Sequence, residues 1–245
     1  MKDLFVISCP IDTFSGYGSR SRDLVKAIIE LDKYDVKILP QRWGNTPFGY
    51  IDEHEKDWGF LKPHILTSNN LAKQPEIWMQ ITVPNEFQKL GKYNIGVTAG
   101  IESTICNPKW IEGLNRMDIN WVSSEHSKRV FEASRFELQD KQGNKMQLKM
   151  EKPMEVVFEG ANLDVFKHIP NKDVEFDLSN VEESFAYLFV GHWMQGHFGH
   201  DRKNVSLLVK SFLETFKNKS KQPALILKTT GVGASIMDRE EMLTR

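Results

Sequence analysis

The apolar positions along the chain switch between the period of a strand and that of a helix. LFVISCP (4–10) is an apolar run short enough for one buried strand, and DVKILP (35–40) sets Val36 and Ile38 among polar neighbours as a second strand would. Between them Leu24, Ile28 and Leu31 recur at i, i+4 and i+7, which predicts a helix over roughly 20–32. EIWMQITVP (76–84) reads as a third strand ended by Pro84, and YNIGVTAG (93–100) as a short strand running into a loop. CNPKWIEGLNRM (106–117) opens a helix, with Asn107 as N-cap, Pro108 at the first helical position, and Trp110, Ile111 and Leu114 as its buried face. INWVSS (119–124) is another strand, after which Ser124 caps a helix over EHSKRVFEAS. The stretch 41–60, rich in aromatics, glycine and proline, reads as irregular.

Past residue 135 the rhythm breaks. FELQDKQGNKMQLKM, with polar turn chemistry at its centre, predicts a surface β-hairpin inserted near 136–150. MEVVFEG (154–160) restores a buried strand. The polar stretch that follows contains Pro170 and suits a linker over 166–184. AYLFVG then starts a second unit, followed by a Gly/His loop, a helix over about 204–217 with Val205, Leu208, Phe212 and Phe216 on one face, and the strand ALILK. Strand, glycine loop, helix, strand is the opening unit of a parallel α/β sheet. The expected organisation is therefore an α/β domain over 1–165, the linker, and the start of a second α/β domain over 185–245. Two strands and one helix leave an open sheet edge in that second unit, through which self-association is expected.

Composition narrows the function classes. Lys and Arg total 32 against 33 for Asp and Glu, a net charge of −1, which gives nucleic acid no electrostatic support. Two cysteines make neither a disulfide framework nor a zinc quartet, so a reducing compartment is expected. No run approaches the ~18 apolar residues that span a bilayer, and the N-terminus has no signal-peptide pattern, so the expected location is cytoplasmic.

The stretch that invites chemistry is FSGYGSRSRDLVKAII (14–29). Gly16, Tyr17 and Gly18 fall where a loop leaves the carboxyl end of the first strand, the edge at which parallel sheets bind ligands. Glycines there allow close backbone approach, and N–H groups at a helix start attract anions. The alternative is a tight turn with Ser19 or Ser21 as N-cap. Arg20 and Arg22, two apart on a helix, do not share a face, so at most one of them points into a cleft.

Four stretches in order resemble glycosyltransferases of the GT-B fold, specifically the large retaining family four. They are SGYGSRSRDLVKAI with KYDVKILP, then IGVTAGIESTICNPKWIEGLNRMDINWVSSEHSKRVFEAS, then VVFEGANLDVFKHIP, and YLFVGHWMQGHFGHDRKNVSLLVKSF. The resemblance implies two Rossmann-like domains and transfer of a sugar from a nucleotide-sugar donor to an acceptor, with retention and without a metal or other cofactor. It implies that Gly16, Gly18, Arg202 and Lys203 hold the donor phosphates, that Glu102 acts in catalysis, and that Tyr17, Arg20, Glu159 and Trp193 line the acceptor side or cleft. Asn162 and Asp164 would organise the turn between domains. Two departures stand out. The Arg often found after the glycine of FVG is His192 here, and the sequence ends at Arg245, before the family's Glu-x7-Glu pair. The expected consequence is a truncated donor domain and no activity from these 245 residues alone. The rival expectation is a non-catalytic remnant serving as a binding or assembly module.

Each residue also has a plainer role. Arg202 and Lys203 would make a solvated basic helix start, and Glu102 and Glu159 would be loop carboxylates bonding nearby backbone. His192, His197 and His200 are read as a polar loop rather than a metal site, since they lack helical i, i+4 spacing and a nearby cysteine. Cys106 is read as a buried or semi-buried thiol rather than a nucleophile. Trp43 and Trp193, placed in loops, are the tryptophans best suited to stacking on a ligand.

Overall fold

The computed structural model describes residues 2–68, 70–71, 73–139, 143–170, 177–193, 198–200 and 203–231. The chain divides into two compact units, Met1–Ala161 and Asn162–Arg245.

In the first unit, strand β1 (Asp3–Cys9) leads to helix α1 (Gly16–Glu30) and strand β2 (Tyr34–Pro40). Two single-turn helices, α2 (Tyr50–Glu53) and α3 (Glu55–Trp58), and a 3-10 turn (Gly59–His64) follow, so the segment expected to be irregular carries short helical turns. Next come β3 (Ile77–Ile81), a 3-10 turn (Pro84–Glu86), β4 (Tyr93–Thr98), α4 (Pro108–Arg116), β5 (Ile119–Val122) and α5 (Glu125–Ala133). An antiparallel hairpin, β6 (Arg135–Gln139) and β7 (Lys145–Lys149), precedes β8 (Met154–Val156). Six strands form one parallel sheet in the order β2-β1-β3-β4-β5-β8, a Rossmann-like α/β arrangement.

Period-two alternation sends successive side chains to opposite faces, and helices cover both. Phe5, Ile7 and Cys9 of β1 pack with Leu24, Val25 and Ile28 of α1. Val6 and Trp78 of the other face join Ile111 and Leu114 of α4 and Phe131 of α5. Strand order reverses between β1 and β3, which opens the crevice of such sheets at their carboxyl ends.

Helix α1 begins four residues before its expected start. The N-cap is Ser15, whose hydroxyl accepts from the Gly18 amide at 2.9 Å, and neither Ser19 nor Ser21 takes that role. Ser21 instead donates to the Tyr17 carbonyl one turn back. The caps of α4 and α5 are the expected Asn107 and Ser124, accepting from the Lys109 and Ser127 amides.

A buried polar knot fixes the amino end of β4. Asn94, fully buried, accepts from the Leu90 and Gly91 amides and donates to the Asp118 carboxylate at 2.9 Å, while its own amide donates to Asp118 at 2.8 Å. Burial pushes the Asp118 carboxyl up, but the Asn94 and Lys89 hydrogen bonds outweigh it and hold the pKa below the usual value. A carboxyl depressed in the folded state stabilises the fold above its unfolded pKa, and that contribution is lost as pH falls through its folded pKa. Asp118→Asn is therefore expected to cost about 1–2 kcal/mol at neutral pH. Melting curves of both proteins should converge as pH falls below the ordinary Asp range, and a gap independent of pH would contradict this account.

The second unit contains β9 (Ala186–Trp193), α6 (Val205–Phe216) and β10 (Ala224–Gly231), with β9 and β10 parallel. Tyr187 packs against Phe212 and Phe216 of α6. Leu188 and Val190, which point the other way, are exposed. Trp193, expected in a loop, is the last residue of β9 and pairs with Gly231.

Candidate functional site at the carboxyl edge of the sheet

The loop after β1 is held from three directions. Asp12 accepts from the Gly49 and Ile51 amides at 3.0 and 2.8 Å, capping α2 from a distance in sequence. Thr13 bridges to Phe48 and bonds both the Pro10 carbonyl and the Ser15 hydroxyl. Buried Arg22 donates to the carbonyls of Ile11 and Thr13 and lies 3.5 Å from the centre of the Tyr50 ring. The two arginines of this turn do diverge, as their spacing requires, but neither is a free cation. Arg20 reaches across to the Val157 and Phe158 carbonyls beyond β8.

The two glycines separate. At Gly16, exposed in the first turn of α1, a Cβ would meet open space. Gly18 is buried, its amide is taken by Ser15, and a Cβ there would run into the Thr13 carbonyl. The expectation that Gly18 approaches a phosphate is therefore corrected: its missing side chain makes room for Thr13. Gly16 alone keeps the open approach.

Tyr17 is the centre of the edge. Its ring stacks on Trp43 with centroids 3.9 Å apart and planes 23° off parallel. Its hydroxyl accepts from the Ala99 amide and shares a hydrogen bond with Thr98 Oγ1, both at 3.0 Å, tying α1 to the end of β4. Burial pushes the phenol pKa above its ordinary value against these hydrogen bonds, and the carboxylates of Glu159 and Glu102 raise it further. Tyr17, Glu102 and Glu159 thus belong to one electrostatic neighbourhood, with both carboxylates exposed.

The loop carrying Glu102 is shaped by Gly100, which has φ +93° and lies so close to Ser127 that a Cβ would overlap its side chain. Ser123 and Ser127 both donate to the Ala99 carbonyl, which fixes this loop to the start of α5.

The thiols are not part of the edge chemistry. Cys9 is fully buried, and burial pushes its pKa up to about 12. Cys106, also buried, donates to Ser134 Oγ at 3.4 Å, and burial raises its pKa too.

In the second unit, Lys203 is exposed two residues before α6, and Trp193 is half-buried. Arg202 and His197 lie outside the described residues. Among the described residues no group of three His, Cys, Asp or Glu side chains could hold a metal ion, and no helix is long and apolar enough to cross a membrane. Asn162 does organise a turn: its side chain accepts from the Asp164 amide and its carbonyl from the Val165 and Phe166 amides.

Sequence reasoning missed Thr98, Ala99, Asp12 and Ser15. Ser15 was within reach, because it stands directly before the helix as a capping residue should. The Tyr17–Thr98 contact joins residues 81 apart, and no local signal marks it. Comparison with protein-family models, curated proteins and solved structures finds no match to this chain. What fold and edge define is an α/β protein with a six-stranded parallel sheet and an aromatic and carboxylate group at its carboxyl edge.

Proposed function

We propose that the chain is a glycosyltransferase of the GT-B type, moving a sugar from a nucleotide-sugar donor to an acceptor with retention and without a metal. The observation that carries the reading is the carboxyl-edge group of Tyr17 stacked on Trp43 with Glu102 and Glu159 acting on its phenol. A sugar ring offers an apolar C–H face and a rim of hydroxyls. An aromatic face and carboxylate acceptors are the complementary chemistry. In this reading Gly16 lets a ligand approach the start of α1, where the helix dipole favours negative charge. Glu102 acts on the sugar bound at this edge, and in the second unit Lys203, beside the start of α6, carries the positive charge a diphosphate would take. The ordered resemblance of the four sequence stretches supports the same assignment.

The test is a panel of nucleoside-diphosphate sugars offered to the full chain, with binding read by calorimetry and transfer by mass spectrometry. Saturable binding of at least one member is expected. Because Lys203 is exposed, Lys203→Ala should weaken that binding by only about tenfold. If no member of the panel binds, the assignment fails.

A further inference from the structure

The end of β8 is held in an unusual way. Val157 makes the last ladder bond, its amide donating to the Val122 carbonyl at 2.9 Å. The next two carbonyls, of Val157 and Phe158, accept from the guanidinium of Arg20 on α1, the Phe158 bond being 3.2 Å. The Phe158 ring is 80% exposed, so packing does not anchor it. Glu159, Gly160 and Ala161 are exposed in turn, and a Cβ on Gly160 would touch nothing within 4 Å. At Asn162 the carbonyl and side chain build the next turn. The first unit ends at Ala161, so these three exposed residues are its last.

We propose that Arg20 is a latch, fixing the direction in which the chain leaves the first unit by gripping the last two carbonyls before the exposed bridge at 159–161. The chemistry suits the task. A guanidinium is a planar fork that donates from two nitrogens at once, and here Nη1 and Nη2 take successive carbonyls. An ammonium on a flexible stem does not reproduce that fork. The latch also stands one turn after Gly16, so the open first turn of α1 and the exit of the chain share one rigid helix. Release of Arg20 frees the end of β8 while leaving the sheet intact. The inference is independent of what ligand the edge binds.

Hydrogen exchange followed by mass spectrometry on the full chain tests it. In Arg20→Ala the Val157 amide, which bonds the Val122 carbonyl at the end of β8, should exchange about tenfold faster, the scale of losing a charge-assisted hydrogen bond, while the amides of β3 and β4 keep their wild-type rates. Arg20→Lys should fall between. Unchanged exchange at Val157 overturns the proposal, and so does an equal acceleration throughout the unit, which would make Arg20 a general support of the fold. If Arg20→Ala does not fold, Arg20→Lys decides by the same criteria: acceleration confined to Val157 and the end of β8 supports the latch, and no change or a uniform change refutes it.

Discussion

Gly18→Ala should destabilise the first unit by roughly 3 kcal/mol, against the usual trend for a glycine inside a helix. Replacing an interior helical glycine by alanine ordinarily stabilises by up to about 1 kcal/mol, because alanine loses less backbone entropy. At Gly18 the added methyl would occupy the space of the Thr13 carbonyl and stand 2.7 Å from the Thr13 hydroxyl. Neither can retreat cheaply. The Thr13 carbonyl accepts from Arg22, and its hydroxyl bonds Pro10 and Ser15, so relief of the clash breaks the cap of α1 as well. Gly16→Ala is the control, since a Cβ there meets nothing, and it should change stability by no more than about 1 kcal/mol. Urea unfolding of the two variants beside wild type gives the comparison. Equal stability of both would mean that the first turn of α1 yields far more readily than its hydrogen bonds imply.

That contrast shows where the sequence was legible and where it was not. The strands of the first sheet and the helices α1, α4 and α5 announced themselves by local pattern: Leu24 and Ile28 by helical spacing, Asn107-Pro108 by capping chemistry, and the apolar run at β1 by its length. Local pattern also separated Arg20 from Arg22. It could not say what each glycine was for. Gly16 and Gly18 look alike in the sequence, and only Thr13 folding back beneath α1 makes one of them a packing requirement. The segment 41–60 failed as a prediction for a related reason. Its single-turn helices are too short to form alone. They exist because Asp12 caps α2 and Arg22 sits on Tyr50, both from elsewhere in the chain.

The candidate site was legible only as a set of names. Tyr17 was picked by its place in the loop after β1, and Glu102 and Glu159 by the resemblance; that they share one edge follows from the parallel sheet, which brings the ends of β1, β4 and β8 to the same side. The hydrogen bonds that hold Tyr17 depend on register. Thr98 is the last residue of β4, and a shift of one residue would turn its side chain to the opposite face.

Arg22→Ala should cost about 3–4 kcal/mol, the largest single loss expected from a side chain near the edge. Its guanidinium is buried, and burial lowers its pKa, with Tyr50, Asp23 and Asp12 opposing that shift. Removing a buried charge relieves some of that desolvation penalty, which limits the loss without reversing it. What remains is larger. The Ile11 and Thr13 carbonyls lose their donor, and Tyr50 loses the cation over its face, with Trp58 a further 5.8 Å contact. Arg22→Lys keeps the charge but not the fork, so it should recover less than half of the loss. Loosening of the β1 loop should also disturb Tyr17, because Thr13 and Ser15 set the first turn of α1 on which its ring stands. Urea denaturation gives the stability change, and hydrogen exchange at Gly49 and Ile51, the amides capped by Asp12, reports the loop. Loss of less than 1 kcal/mol, with those two amides still protected, would mean that the Asp12 cap and the Thr13–Phe48 bridge hold the loop without Arg22.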